Sequence, residues 1–221
     1  MSLIIATPVR GIGLDAPVSV GYAEAVRALS KTVDVIPASV TFSTDVVRAR
    51  NRLAATVLRD MPDVSHVLWW DDDVYPEDVK IVERMLNAFE DVIAAPYVSK
   101  DPPVHWMHQG ADSLDGRGLL EVTETGFGFV LTSRACLERM SKASSTIHYR
   151  DAPQPHMVAN LFGMLYDKSP DGLLLLSEDL SFCRRWRELG GKIWVDGRPG
   201  NVLRHVGRWA WSGREITGGV R

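Results

Sequence analysis

Apolar and polar positions along the chain fall into two periods. Short, nearly continuous apolar runs occupy Leu3–Ala6, Val33–Ile36, His66–Trp70, Val92–Tyr97, Phe127–Leu131, Lys192–Val195 and Asn201–His205. Runs of this length read as strands. Between them the spacing becomes helical. Val20–Leu29 is one such segment, and Thr44–Leu58 is a second, with Val47, Leu53, Ala54, Val57 and Leu58 roughly on one face. Pro76 stands where a first helical residue would stand. Glu77 and Asp78 suit the first turn of that helix, and Val79, Val82, Met85 and Leu86 follow as its apolar face. Ser133 can cap a helix carrying Leu137 and Met140, and Ser177 can cap another that runs to Gly190-Gly191.

The first half therefore alternates strand and helix. That order predicts an α/β fold with a mixed, mostly parallel sheet flanked by helices. The second half is less regular. Lys100–Gly118 and Tyr149–Gly172 are rich in Pro, Gly and Asp and read as long loops over one face, a common place for ligand binding. No repeat or linker breaks the 221 residues, so one domain over 1–221 is expected.

Composition narrows the classes. Apolar residues make up 45% and charged residues 24%, enough for a real core, which excludes a disordered, collagen-like or disulfide-stapled chain. Lys plus Arg total 25 against 28 Asp plus Glu, for a net charge of −3, a poor balance for a general nucleic-acid binder. No stretch approaches the length of a membrane span, and the N-terminal apolar run is too short for a signal peptide. Cys136 and Cys183 sit in helix-like apolar segments and read as two buried thiols. A cytoplasmic location is the expectation.

The sharpest chemical signal is His66-Val-Leu-Trp-Trp-Asp71-Asp72-Asp73-Val-Tyr-Pro76, an apolar strand running straight into three carboxylates. Ligands of open α/β sheets sit outside the carboxyl ends of strands. Three adjacent carboxylates repel one another, and a hard divalent ion such as Mg²⁺ or Mn²⁺ relieves that conflict. A solvated acidic turn is the bland alternative. A calcium EF-hand is excluded, because the positions that need Gly and Glu hold Pro76 and Val82. A second acidic pair, Ser177-Glu178-Asp179, opens a helix, where the dipole alone would explain it. His205 stands near the end in Arg204-His-Val-Gly207.

Taken in order, these segments resemble a GT-A glycosyltransferase. The matching pieces are Ile4-Ile-Ala-Thr-Pro-Val-Arg10, Ala49-Arg-Asn-Arg-Leu-Ala54, Leu68-Trp-Trp-Asp-Asp-Asp73 as the D-x-D element, and Ala95-Pro-Tyr-Val-Ser-Lys100. Thr125-Gly-Phe-Gly-Phe-Val-Leu131, Ser177-Glu-Asp179 and His205-Val-Gly207 complete them. The resemblance covers most of the chain, and small enzymes of this kind are encoded by phages and large DNA viruses.

The resemblance implies a donor, a metal and a set of roles. The donor would be a nucleotide-diphosphate sugar (a UDP- or GDP-sugar), and the acceptor a hydroxyl of a glycan, protein or small molecule. Residues 1–100 would form the nucleotide-binding half and 101–221 the acceptor and catalytic half. Thr7, Pro8 and Arg10 would hold the nucleotide, with Arg50 and Asn51 near the base or ribose. Asp71 and Asp72 would face the ribose and the metal site, and Lys100, Gly126 and Phe127 would join the donor site. Asp73 would bind Mn²⁺ or Mg²⁺ directly, with Asp71 beside it, and His205 would close the metal site. Asp179, helped by Glu178, would act beside the sugar. Arg204, Arg208 and Arg214 would be placed to cover the diphosphate. Gly126 and Gly128 would let the backbone approach a ligand, although a strand bulge explains them equally. Trp106, Trp209 and Trp211 are placed for sugar stacking, whereas Trp69, Trp70, Trp186 and Trp194 read as core.

Three rival readings remain. Asp71-Asp-Asp73-Val fits the D-x-D-x-V element of a haloacid-dehalogenase-type phosphatase, though strands and helices precede it here. Gly11-Ile-Gly-Leu-Asp-Ala16 with Asp34 fits a dinucleotide fingerprint, although Pro17 falls where its helix should be under way. A non-catalytic nucleotide- or sugar-binding module would use the tryptophans without needing both acidic clusters.

Overall fold

The computed structural model describes residues 2–9, 16–42, 45–101, 103, 105–110, 113–152, 156–199, 203–207 and 210–212, with the backbone alone at 16–17, 37–42, 169 and 210–212. In chain order the elements are β1 (Ser2–Val9), α1 (Ala16–Leu29), β2 (Asp34–Phe42), α2 (Val46–Asp60), β3 (His66–Trp70), β4 (Val74–Pro76) and α3 (Lys80–Leu86). There follow β5 (Val92–Ala94), β6 (His108–Gly110), β7 (Leu119–Thr125), β8 (Phe129–Ser133), α4 (Arg134–Lys142), β9 (His148–Arg150) and β10 (Met157–Ala159). The last are β11 (Tyr166–Ser169), β12 (Gly172–Leu175), α5 (Glu178–Glu188), β13 (Ile193–Asp196), β14 (Leu203–Val206) and β15 (Ala210–Ser212).

Eight strands form the central sheet in the order β2-β1-β3-β8-β5-β13-β7-β6. All but β7 and β8 run the same way, so the sheet is mixed and mostly parallel, as the alternation predicts. The apolar strands are buried on both faces. Leu3 and Ile5 of β1 and Leu68 and Trp70 of β3 enter one core with α1 and α3. Ile4, Ala6, Val67 and Trp69 point the other way, into a core with α2, α4 and α5. Fully burying each such side chain is worth roughly 1.5–3 kcal/mol. Trp69 packs edge-on against Phe162 at 5.1 Å, and Phe127, Phe162 and Phe182 continue that aromatic cluster beneath the functional end of the sheet.

Side chains tie down ends of α2 and α4. Asp45 caps α2 by accepting from Arg48 N at 3.1 Å, and Ser133 caps α4 by accepting from Cys136 N at 3.0 Å. Arg134 donates to the carbonyls of Val57, Leu58 and Met61, closing the far end of α2. Cys136 and Cys183 are buried free thiols, and burial pushes the Cys183 thiol up to about 12. Trp69, Trp70, Trp186 and Trp194 are core residues as expected.

Several expectations are corrected. Pro76 does not start a helix. It ends β4, which pairs antiparallel with β14, and α3 begins only at Lys80, whose N–H donates to Asp78 at 2.9 Å. Ser177 precedes α5 but makes no side-chain cap to its backbone, because its hydroxyl donates to Asp179 instead. The two long loops contain pairing of their own: β6 joins β7, β9 pairs with β10, and β11 pairs with β12. Leu173, Leu174 and Leu175 lie exposed in the β11–β12 hairpin. Asp34 opens β2 rather than ending it, so it stands at the wrong end of that strand to meet a ribose, against the dinucleotide reading. Among the described residues no helix is long and apolar enough to cross a membrane.

Candidate active site

β3 delivers Asp71 to the carboxyl end of the sheet. Its neighbour β8 fixes the height, with Trp70 opposite Phe129 and Asp71 N donating to Gly128 O at 2.9 Å. The chain then turns through Asp72 and Asp73 into β4. That short strand pairs with β14, placing His205 opposite Val74, and Val206 N donates to Asp73 O at 2.7 Å. A backbone ladder thus brings together two residues 132 positions apart in sequence, 205 minus 73. His205 Nε2 lies 3.4 Å from Asp73 Oδ1.

The opposite face of the imidazole is set as well. His205 Nδ1 donates to Val98 O at 2.8 Å, which leaves Nε2 to carry the lone pair when the ring is neutral. Tyr97 stands edge-on to the ring at 5.4 Å, and its hydroxyl accepts from Gly128 N at 2.9 Å. Lys100 Nζ reaches the second oxygen of Asp73, Oδ2, at 2.6 Å. Burial alone would raise the Asp73 carboxyl, but His205 and Lys100 beside it outweigh that and hold it well below the usual carboxylate range.

A second charge cluster lies beside the first. Arg50, on α2, is 2% exposed and forks between two carboxylates. Its Nη2 holds Asp71 at 2.7 and 3.0 Å, and its Nη1 holds Glu178 at 2.9 Å. The guanidinium also lies over the rings of Phe127 and Phe162, at 5.6 and 5.8 Å. Burial works against the charge on Arg50, yet Asp71 and Glu178 raise its pKa further above the ordinary value. Burial raises both carboxyls against the pull of Arg50, with neighbouring acids adding to the rise. Asp179, the next residue on α5, accepts from Ser177 Oγ and from Leu180 N, the latter at 2.9 Å.

These groups line one cleft of about 380 Å³. Asp71, Asp72, Asp73, Lys100, His205, Arg50, Glu178 and Asp179 supply its polar wall, and Pro8, Val46, Tyr97, Met107 and Phe127 its less polar one. Most of the residues expected from sequence therefore meet. Thr7 is fully buried behind Pro8, and its hydroxyl has no partner among the described residues. Arg10, Arg208, Trp209 and Arg214 lie outside the described residues, as does the side chain of Trp211.

Three assignments change. Asn51 does not line the cleft: its amide donates to Asn160 at 2.9 Å and accepts from Phe162 N at 2.9 Å, pinning the 160–162 segment. Gly126 and Gly128 make room for Tyr97 rather than for a ligand, since an added Cβ would stand 2.3 Å from the Tyr97 hydroxyl at one and 2.8 Å at the other. Arg204 is held by Glu77 at 2.6 Å, away from the cleft polar wall. Sequence reasoning missed Tyr97, Val46 and Met107. The Pro96-Tyr97 dipeptide just beyond β5 and the glycines spaced around Phe127 were the available signals for Tyr97.

One acidic and imidazole pair could hold a cation. Asp73 and His205 offer an oxygen and a nitrogen, while among the described residues no group of three or more His, Cys, Asp or Glu could hold a metal unaided. Mg²⁺-type ions take one or two protein ligands and complete their shell with phosphates and water, so a two-donor site suits a metal that arrives with a diphosphate.

No protein-family model matches the chain, and no curated protein does. Solved structures do. A197 from STIV is 17% identical with a TM-score of 0.56, over 93% of this chain and 86% of that one. A UDP-glucose pyrophosphorylase complexed with UDP-glucose is 10% identical with a TM-score of 0.46, over 90% and 92%. A glycosyltransferase involved in glycosylation of the major capsid of PBCV-1 is 12% identical with a TM-score of 0.37, over 63% of each chain. The likeness to A197 is one of fold.

Proposed function

We propose that the protein is a metal-dependent glycosyltransferase of the GT-A type, moving a sugar from a nucleoside-diphosphate sugar to an acceptor hydroxyl. The observation that carries this reading is the convergence of Asp73, His205 and Lys100 with Asp179 around one cleft at the carboxyl end of the sheet. The cleft thus combines cationic groups and an Asp–His pair that could hold a metal with further carboxylates. Glycosyl transfer needs both kinds of charge, because negative charge grows on the leaving diphosphate while positive charge grows on the anomeric carbon.

Asp73 and His205 Nε2 would hold Mn²⁺ or Mg²⁺, which neutralises the leaving diphosphate when bound. Lys100 adds a positive charge beside the same phosphates. Asp72 faces the ribose, and Pro8, Val46 and Met107 form the wall against which the base or sugar packs. In the transfer, the acceptor oxygen bonds to the anomeric carbon as the bond from that carbon to the diphosphate breaks, both electrons leaving on the phosphate oxygen. The acceptor proton passes to a carboxylate, and Asp179 is the one assigned. Glu178 is tied to Arg50 and holds the start of α5 rather than taking the proton.

The test is a screen of UDP- and GDP-sugars by thermal shift with and without Mn²⁺, followed by an assay of nucleoside diphosphate release. Metal-dependent stabilisation by one donor, with release of its diphosphate, is the expected result. Equal binding of every nucleotide without metal would refute the reading. Donor binding with no diphosphate released, whatever acceptor is supplied, would favour a non-catalytic binding module.

A further inference from the structure

We propose that Lys100 is a built-in counter-cation that competes with the divalent metal for Asp73 and is drawn off by the donor's diphosphate, so that metal and donor load together. This rests on the glycosyltransferase reading. The two oxygens of Asp73 are both engaged: Oδ1 faces His205 Nε2 at 3.4 Å and Oδ2 holds Lys100 Nζ at 2.6 Å. A metal ligated by Asp73 and His205 must enter within a few ångströms of that ammonium. Two cations cannot share one carboxylate without strong repulsion. One of them has to leave, or the metal binds weakly.

The surroundings let the ammonium leave while the backbone stays. The Lys100 side chain is 34% exposed, lines the cleft and carries a flexible four-carbon stem. The chain leading into it is held. Val98 pairs with Trp106, and Ser99 N donates to His105 O at 2.9 Å. At Gly207 an added Cβ would stand 3.0 Å from Lys100 O and 3.1 Å from Lys100 Cβ, so the glycine after His205-Val206 lets β14 close on this segment. The lysine side chain can therefore swing from this packed segment between a carboxylate and the space where phosphates would lie. A nucleoside diphosphate offers the ammonium a new anionic partner and offers the metal further oxygens. Each ligand thereby removes an obstacle to the other, which is positive coupling between two sites. Without donor, Lys100 keeps Asp73 neutralised and the metal site closed.

The experiment titrates Mn²⁺ into the full chain and follows free Mn²⁺ by electron paramagnetic resonance, alone and with saturating UDP or GDP. Wild type, Lys100→Met and Lys100→Arg are compared, with Lys100→Gln as a second neutral variant should the first fail to fold. The neutral variant should bind Mn²⁺ alone about 10-fold more tightly than wild type, and the tightening caused by the nucleotide should shrink by a similar factor. Lys100→Arg should behave as wild type. Unchanged Mn²⁺ affinity and unchanged coupling in the neutral variant, with nucleotide-dependent Mn²⁺ binding intact, would overturn this inference and leave the glycosyltransferase reading standing. Absence of Mn²⁺ binding in every form, with either nucleotide, would overturn both.

Discussion

Replacing Arg50 by Met tests the link between the two halves of the cleft. The guanidinium is 2% exposed and holds Asp71 at 2.7 Å and Glu178 at 2.9 Å. Met fills much of the same volume and keeps contact with Phe127 and Phe162, so the main loss is the shared positive charge. Removing one partner of a buried ion pair costs about 3–5 kcal/mol. The carboxylate side chains are 27% and 16% exposed, so water recovers part of that. A loss of about 2–4 kcal/mol at neutral pH follows. Arg50→Lys places one ammonium where a fork served two acids, and should cost roughly 1–2 kcal/mol. Urea unfolding of wild type, both variants, Glu178→Gln and the Arg50→Met/Glu178→Gln double variant measures this directly. The double variant should be more stable than the sum of single losses predicts, by about 1–2 kcal/mol, because the second change removes a stranded charge. A loss under about 1 kcal/mol for Arg50→Met, or strict additivity with Glu178→Gln, would refute the argument.

Other outcomes follow from the same geometry. Gly126→Ala puts a Cβ 2.3 Å from the buried Tyr97 hydroxyl and should cost about 1–3 kcal/mol in thermal melts; adding Tyr97→Phe should recover part of it, and a variant as stable as wild type would contradict the packing account. Asp151 is buried between Arg48, at 2.7 Å, and Arg52. Burial would raise its carboxyl, but the two arginines outweigh that and hold it below the usual range. The folded state therefore binds this proton less tightly than the unfolded chain does. The resulting stability is present above the unfolded pKa near ~3.9 and is lost as pH falls through the lower folded value. Asp151→Asn should flatten the acid limb of a stability–pH curve, and an unchanged limb would count against the pairing. Asp179→Asn should cut turnover by about 10²–10⁴-fold with donor affinity nearly unchanged; undiminished turnover would remove Asp179 as the base.

Much of this arrangement was legible in the chain because its causes are local. The His66–Trp70 run reads as a buried strand since apolar residues lead straight into carboxylates, and β3 has those bounds. Ser133 reads as a cap because its bond to Cys136 N spans three residues. Pro76 misled because the deciding partner, Leu203 of β14, is remote; a proline lacking an N–H serves as well at a strand end as at a helix start. Asn51 and Arg50 stand side by side on α2, and the resemblance implied a ligand for both. Register separates them: Arg50 turns to the cleft, and Asn51 turns to the 160–162 segment. The glycines around Phe127 signalled close approach, and the group approached is the Tyr97 ring. Asp73 and His205 were joined by resemblance, and the β4–β14 ladder supplies the physical reason they meet.

Anomalous diffraction at the manganese edge, from crystals grown with Mn²⁺ and UDP or GDP, addresses the central proposal most directly. The expected map has one metal peak within coordination distance of an Asp73 oxygen and His205 Nε2, touching the diphosphate, with Lys100 moved from Asp73 onto a phosphate oxygen. An ordered diphosphate with no metal peak at Asp73, or a peak coordinated elsewhere, would contradict it.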